Sequence, residues 1–296
     1  MFGVINFACL TLSFLSSCNQ IDADQVEEMN SKEVTFSLST FEVSQEAMTR
    51  ANDSIPVGYV PSHLLVLDVV NGEVKQTFEK TTDSLQVTTG VTKVSNVLEN
   101  LKMTLSYGNH DIYFLAADVP YASYDKTNKT VSWSADHRLH IAWAKKVSVT
   151  VSQTTASTQS VDLPLAVGCI ALVCNDAQDS AASKMQISGN LFWTLALTTM
   201  KGLTTQTVHT YSIKIPDKNP GKTFSSFSFE PTSGSSINMT YTALDTAGNA
   251  IVSHTLTNVP LSVGVYTRYK GDFYSITPLF TLSVANAWTE IEDLTY

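Results

Sequence analysis

The chain carries little charge, and basic side chains are especially few. Of its 296 residues 15% are charged, and 18 Lys and Arg against 27 Asp and Glu give a formal net charge of −9 at pH 7. Nucleic-acid binding requires clustered Lys and Arg, so this balance argues against a nucleic-acid partner. The hydrophobic content of 43% is sufficient for a packed core, and the length allows two ordinary domains or one large sandwich.

Cysteine is scarce as well, with four residues in the chain. Cys169 and Cys174 lie in the apolar segment 168–175, which predicts a buried strand. Side chains five positions apart along a strand point to opposite faces of the sheet. The pair is therefore predicted to remain unbridged and to pack as two small hydrophobic side chains.

Long apolar runs and helical periodicity are nearly absent. Instead, short segments alternate apolar and polar residues, as in 34–38, and are bounded by turn residues such as Asn71-Gly72, a strong hairpin signal. Many short strands with turns every 8–12 residues or so predict an all-β sandwich architecture. The polar stretch 153–160 is the best boundary, which divides the chain into an N-terminal domain, 34–158, and a C-terminal domain, 159–296.

Motifs for catalysis or metal binding are missing too. The chain contains neither Gly-x-Ser-x-Gly nor Gly-x-x-x-x-Gly-Lys, and no pair of carboxylates stands out as that of a glycosidase. His137 and His140 would point to opposite faces of a strand, with no further ligands nearby in sequence. We therefore predict that the protein is not an enzyme and uses no metal or cofactor.

The N-terminus combines an apolar segment, 4–15, with Leu15-Ser16-Ser17-Cys18. This segment is shorter than the roughly 20 residues that span a bilayer and is typical of a signal peptide. We predict that residues 1–17 are removed, that Cys18 carries the lipid including palmitate, and that the acidic segment 18–33 is a flexible tether. Residues 1–17 contain no Lys or Arg, which fits an atypical leader or an upstream start codon; the alternative is a partly buried N-terminal helix of a cytosolic protein.

Four features, in this order along the chain, resemble the fimbrillins, the lipoprotein subunits of type V pili. They are Cys18 with its acidic tether, Val34 to Leu38 followed by Thr49-Arg50-Ala51, the tyrosine-bearing strand 111–117, and the closing segments 258–271 and 280–288. The resemblance implies two transthyretin-like or Greek-key β-sandwich domains in tandem. It also implies a pilus subunit or accessory subunit that serves adhesion at the outer membrane or surface of a Gram-negative bacterium.

Assembly of such subunits involves proteolysis and strand exchange. An arginine-specific protease cuts behind the first strand, and a strand of a neighbouring subunit fills the groove. The resemblance therefore implies a cut between Arg50 and Ala51, with other pilus subunits and a host or bacterial surface ligand as partners. Alternatively, Arg50 is an ordinary loop residue and the first strand stays in place. The removable strand would contribute Val34, Phe36 and Leu38 to the groove. The candidate donor strand contains Phe280, Leu282 and Val284, and a segment of 289–296 is the alternative donor.

A carbohydrate-binding surface lipoprotein is the alternative function. Such β-sandwiches stack sugars on exposed aromatic side chains. Trp133, Trp193 and Trp288 lie in alternating segments that predict core packing, whereas Tyr121 and Tyr124 are predicted to be exposed on a loop. The sequence leaves open whether a pilus subunit of this kind forms the shaft, the tip or the anchor.

Overall fold

The computed structural model describes residues 30–39, 61–81, 100–203, 208–215, 222–231, 237–275 and 280–286. All regular elements in these ranges are strands, numbered β1 to β19 along the chain, and they pair into five sheets. The all-β class predicted from the alternation is therefore confirmed. Within these same ranges no helix is long and apolar enough to cross a membrane.

Seven strands within residues 31–162, the N-terminal or first half of the described chain, form two sheets that pack face to face. The ring of Phe36 in one sheet meets that of Phe114 in the other edge-on, with centroids 5.3 Å apart. Sheet I has the order β4 (Asn100–Ser106), β1 (Ser31–Ser39), β9 (Thr158–Asp162), and sheet II the order β3 (Glu73–Thr81), β2 (His63–Val70), β5 (Gly108–Ala117), β8 (Ala142–Val151).

The predicted hairpin between β2 and β3 is confirmed. Asn71 and Gly72 both have positive φ, 51° and 82°, as a type I′ turn requires. This turn matches the right-handed twist of the two strands and sets their pairing, from His63 opposite Thr81 to Val70 opposite Glu73.

The second half of the chain forms a further pair of sheets. Their inner faces meet through polar as well as apolar groups, since the hydroxyl oxygens of Tyr211 and Ser226 are 2.6 Å apart. Every residue of Val167–Cys174 is buried, as the apolar segment predicted. Sheet IV has the order β15 (Lys222–Phe229), β10 (Val167–Cys174), β18 (Val265–Gly271), β19 (Phe280–Asn286), and sheet V the order β14 (His209–Lys214), β11 (Lys184–Gly189), β16 (Ile237–Leu244), β17 (Ala250–Val259).

A small fifth sheet joins the two halves. Strand β7 from the first half pairs with β12 from the second, and the backbone N–H of Trp133 donates to the carbonyl of Trp193 at 2.9 Å. Sheet III has the order β13 (Lys201–Gly202), β12 (Thr194–Ala196), β7 (Thr130–Ser132), β6 (Ser123–Asp125).

Two segments differ from the sequence-based expectation. The first strand begins at Ser31 and not at Val34, because Ser31, Lys32 and Glu33 already pair with residues 104–106 of β4. The polar stretch 153–160 was predicted to separate two domains, yet Thr158–Asp162 forms β9, which pairs in parallel with β1. Strand β9 is thereby part of the N-terminal sheets.

Candidate functional site

The candidate removable strand, β1, occupies the centre of sheet I. It pairs antiparallel with β4, from Ser31 opposite Ser106 to Ser37 opposite Asn100, and in parallel with β9, from Thr35 opposite Thr158 to Ser39 opposite Asp162. Removing a central strand leaves unpaired backbone groups on both neighbours, whereas removing an edge strand affects only one.

The three apolar side chains of β1 lie in the core between sheets I and II. Val34 and Phe36 are 0% exposed and Leu38 is 3% exposed, while the intervening Thr35 and Ser37 are half-buried. Burying each of three such side chains is worth about 1.5–3 kcal/mol. The strand therefore fills a narrow apolar slot that only an alternating sequence can occupy.

Polar contacts hold the N-terminal end of β1. The ammonium group of Lys32 donates to the backbone carbonyls of Gln153, at 2.9 Å, and of Thr155. Glu33 forms an exposed ion pair with Lys102 of β4 at 3.0 Å. Lys32 thereby connects the start of β1 to the loop that precedes β9.

The β4 side of the slot has its own attachment to sheet II. Tyr107 alone separates β4 from β5, and the side chain of His110 on β5 donates through Nε2 to the carbonyl of Ser106 at 2.8 Å. The other ring nitrogen of His110 lies 2.7 Å from Oδ1 of Asp68, and both side chains are 1% exposed. This buried pair fixes the C-terminal end of β4 to β2 and β5 independently of β1.

The β9 side of the slot is attached to sheet II by backbone hydrogen bonds. After β9 the chain turns back along β8, where the N–H of Ala144 donates to Pro164 at 3.1 Å and that of Ala166 donates to Ala142 at 2.8 Å. Both neighbours of β1 are therefore held on sheet II by contacts that do not involve β1.

The candidate donor residues Phe280, Leu282 and Val284 lie in β19, at the edge of sheet IV. Strand β19 pairs antiparallel with β18, and no other described strand pairs with it. The side chains of Phe280 and Leu282 are half-buried, and the Phe280 ring meets that of His254 edge-on at 5.9 Å. Other residues of the prediction, Cys18, Arg50 and Ala51, lie outside the described residues, as do Trp288 and the tail 289–296.

The tryptophans in the described part of the chain are buried. Trp133, Trp143 and Trp193 are between 1% and 4% exposed, and the indole N–H of Trp193 donates to the carbonyl of Phe227 at 2.9 Å. Core packing, predicted for Trp133 and Trp193, is confirmed. The expectation that Tyr121 and Tyr124 are loop-exposed is wrong, because both are half-buried where the β6–β7 hairpin packs on β3.

The His-Arg-Leu-His segment, 137–140, contributes to the junction between the halves. The guanidinium of Arg138 lies 4.7 Å from the centre of the Tyr211 ring, and Nδ1 of His140 lies 3.5 Å from Oδ2 of Asp118. Burial raises the pKa of Tyr211 to about 12, so its hydroxyl remains protonated at neutral pH. In the described part of the chain no three His, Cys, Asp or Glu side chains come together as a metal site would require.

Cys169 and Cys174 are free thiols and are buried. Burial raises the pKa of both thiols, which suppresses the reactive thiolate form. Both therefore pack as small hydrophobic side chains, as predicted from their spacing.

Sequence reasoning missed three parts of this arrangement: the Lys32 anchor, the His110–Asp68 pair and the parallel partner β9. A signal for the pair exists, because Asp68 is the only charged residue in the otherwise apolar segment Leu64–Val70. No comparable signal exists for β9, since a parallel neighbour far away in sequence leaves no local mark.

Comparison by sequence finds no matching family model and no matching curated protein. Comparison by structure finds a candidate adhesin from Bacteroides ovatus with a TM-score of 0.51 and 12% identity, covering 90% of this chain and 96% of that one. A candidate adhesin from Bacteroides thetaiotaomicron has a TM-score of 0.50 at 11% identity, covering 88% of this chain and 98% of that one.

A third similar structure, also from Bacteroides thetaiotaomicron, is a candidate polysaccharide-binding protein. Its TM-score is 0.50 at 11% identity, covering 89% of this chain and 97% of the other. At such low identities the likeness concerns the fold. The predicted resemblance is confirmed at the level of the fold, which this chain shares with candidate adhesins of Bacteroides.

Proposed function

We propose that this protein is a pilus subunit or accessory subunit that assembles by exchanging β1 for a strand of a neighbouring subunit and serves cell adhesion. The observation that carries the proposal is the position of β1, which is central in its sheet and contributes three buried apolar side chains. Arg50 follows this strand by eleven residues, since β1 ends at Ser39. After a cut at Arg50, only non-covalent contacts would hold β1.

The physical consequence of losing β1 is an open slot between β4 and β9. Unpaired N–H and C=O groups on both sides, together with an exposed apolar floor, favour the entry of another strand by β-augmentation. Because both flanking strands are fixed to sheet II by their own contacts, the slot should keep its shape while it is empty. An incoming strand must run antiparallel to β4 and alternate apolar with polar residues.

Strand β19 matches this requirement in sequence. Val-Thr-Phe-Ser-Leu at 34–38 and Phe-Thr-Leu-Ser-Val at 280–284 share Thr and Ser at the same positions, with apolar residues between them. In the same direction as β1, Phe280 would replace Val34, Leu282 would replace Phe36 and Val284 would replace Leu38. As an edge strand, β19 breaks pairing with a single neighbour when it leaves its sheet.

Export as a lipoprotein delivers the subunit to the surface in this proposal. Cys18 carries the lipid in the outer membrane, and cleavage after Arg50 releases the acidic segment 18–50 together with β1. Other pilus subunits are then the partners. Adhesion as the role is supported by the candidate adhesins that share the fold. The proposal also includes two β-sandwich domains in tandem, with β9 in the N-terminal domain.

N-terminal sequencing of the exported protein after treatment with an arginine-specific protease tests this function. We expect Ala51 as the new first residue, followed by oligomers on gels. The only other arginines are half-buried Arg138 and buried Arg268, so the folded chain should be cut at Arg50 first. A chain that is cut at Arg50 but remains monomeric with β1 bound would contradict strand exchange.

The matched control is Arg50→Lys, which keeps the positive charge but removes the protease site. This variant should stay uncut and monomeric under the same conditions. Cys18→Ser separates the lipid from assembly, since it should abolish membrane attachment and leave protease-induced oligomerisation of the purified chain intact.

A further inference from the structure

A cavity of about 220 Å³ lies in the N-terminal half, where β2 begins and β3 ends. None of its lining residues belongs to β1 or β19. Pro120 and Tyr121, which follow β5, form its third side. Its apolar surface comes from Leu64, Pro120 and Tyr121, and its polar rim includes His63, Glu79 and Lys80.

Tyr121, which forms the aromatic wall of this cavity, is held in place by contacts with the core and with β3. The Tyr121 ring meets the buried Trp133 ring edge-on, with centroids 6.4 Å apart and an angle of 78° between the planes. The Tyr121 hydroxyl also hydrogen-bonds to the Glu79 carboxylate. Burial, assisted by this carboxylate, raises the pKa of Tyr121, so the hydroxyl remains a donor at physiological pH.

The histidine on the rim is oriented as well. The Ser62 hydroxyl donates to the carbonyl of Asp118 at 2.8 Å, which leaves its oxygen to accept from Nδ1 of His63 at 2.6 Å. This pair of bonds places the imidazole proton on Nδ1 and fixes the plane of the ring. The polar rim is thus partly preorganised, which lowers the entropic cost of binding.

We propose that this cavity binds one pyranose ring of a neutral saccharide. A positioned tyrosine ring offers the flat apolar surface on which the C–H face of a sugar packs. The rim supplies both acceptors and donors for sugar hydroxyls, and the lining contains one acidic and one basic residue, Glu79 and Lys80, and no cluster of like charge, which favours an uncharged ligand. The volume is below the range of about 300–1,000 Å³ found for drug-sized ligands, and therefore suits a single ring.

This site goes beyond the pilus assignment, because it concerns what an adhesive surface recognises. It does not depend on strand exchange. Its residues come from the β2–β3 hairpin and the segment after β5, so an uncleaved monomer should bind sugar as well as an assembled pilus. Failure of one proposal therefore leaves the other standing.

Calorimetric titration of the purified, uncleaved chain with the methyl glycosides of mannose, galactose and N-acetylglucosamine, and with N-acetylneuraminic acid, tests the site. We expect saturable binding of at least one neutral glycoside and a change in tryptophan emission, because Trp133 contacts Tyr121. No saturable binding, or binding of the acidic sugar alone, would overturn the proposal.

Variants locate the binding. Tyr121→Ala should weaken it about tenfold or more, and Glu79→Gln several-fold, because each removes a direct contact. Tyr124→Ala is the matched control, since Tyr124 is a half-buried tyrosine of the same region that does not line the cavity. Unfolding curves establish that each variant is folded. Equal loss in the Tyr121 and Tyr124 variants, or unchanged binding by Tyr121→Ala, would show that the cavity is not the site.

Discussion

Strands β1 and β19 have nearly the same local sequence but different places in the fold. Both alternate apolar residues with Thr and Ser in the order apolar, Thr, apolar, Ser, apolar. Strand β1 has a neighbour on each side, and its apolar side chains are buried. Strand β19 has only β18 beside it, and Phe280 and Leu282 are half-buried. The pattern specifies a strand, whereas its position in the sheet determines how tightly that strand is held.

This difference gives the two strands opposite roles in the proposed exchange. A strand that leaves an edge loses one set of backbone hydrogen bonds, and a strand that enters a central slot gains two. Transfer of β19 from its own sheet into the slot of another copy therefore increases the number of hydrogen bonds and buries more apolar surface. The comparison can be tested strand by strand.

The largest difference is expected from shortening one apolar side chain in each strand. Phe36→Ala removes a buried ring that packs on Phe114 and should lower the free energy of unfolding by about 3–5 kcal/mol. Leu282→Ala should lower it by about 1 kcal/mol or less, since the side chain is half-buried at an edge. Urea unfolding of both variants measures the difference, and similar losses would contradict it.

A second large effect is expected in the wall of the β1 slot. His110→Ala leaves the buried carboxylate of Asp68 without its partner and frees the Ser106 carbonyl, which should cost about 3–5 kcal/mol. The exposed ion pair of Lys75 with Glu73 is the control, and Lys75→Ala should cost less than about 1 kcal/mol. If His110→Ala were as mild as the control, β4 would not depend on this contact.

Hydrogen exchange compares the backbones of the two strands directly. Amides of β1 that bond to β4 and β9 should exchange only when the whole N-terminal half unfolds, because β1 is central. Amides of β19 should exchange at least about tenfold faster through local opening of the edge. Mass spectrometry of peptides covering 31–39 and 280–286 measures both, and equal protection would remove the distinction between them.

The smallest effect concerns the polar anchor of β1. Lys32→Met loses the bonds to the carbonyls of Gln153 and Thr155 and should destabilise the chain by about 1–2 kcal/mol. Lys102→Met breaks only an exposed ion pair with Glu33 and should change stability by less than about 1 kcal/mol. After a cut at Arg50, the Lys32 variant should also release the β1 peptide faster than the Lys102 variant does. Size-exclusion chromatography at successive times measures how much peptide has separated from the rest of the chain.

Much of the fold could be predicted from local patterns. The alternation in 34–38, the buried segment 168–175 and the turn at Asn71-Gly72 all correspond to observed elements. The segment 190–197, which is rich in apolar residues, contains only the short strand β12, Thr194–Ala196. There the backbone is held by bonds to the other half of the molecule, such as that from the Trp133 N–H to the carbonyl of Trp193 at 2.9 Å. Such contacts are set by distant residues and cannot be recognised from the segment itself.

Apolar residues at alternate positions specify strands and place Val34, Phe36 and Leu38 on one face of the first strand. The positions of β1 between β4 and β9 and of β19 at an edge, and the cavity beside Tyr121, follow from the tertiary structure. The physical reason is that strand alternation is a local property of period two. The neighbours of a strand are chosen by packing and backbone pairing between segments far apart in the chain, and these leave no mark within five residues.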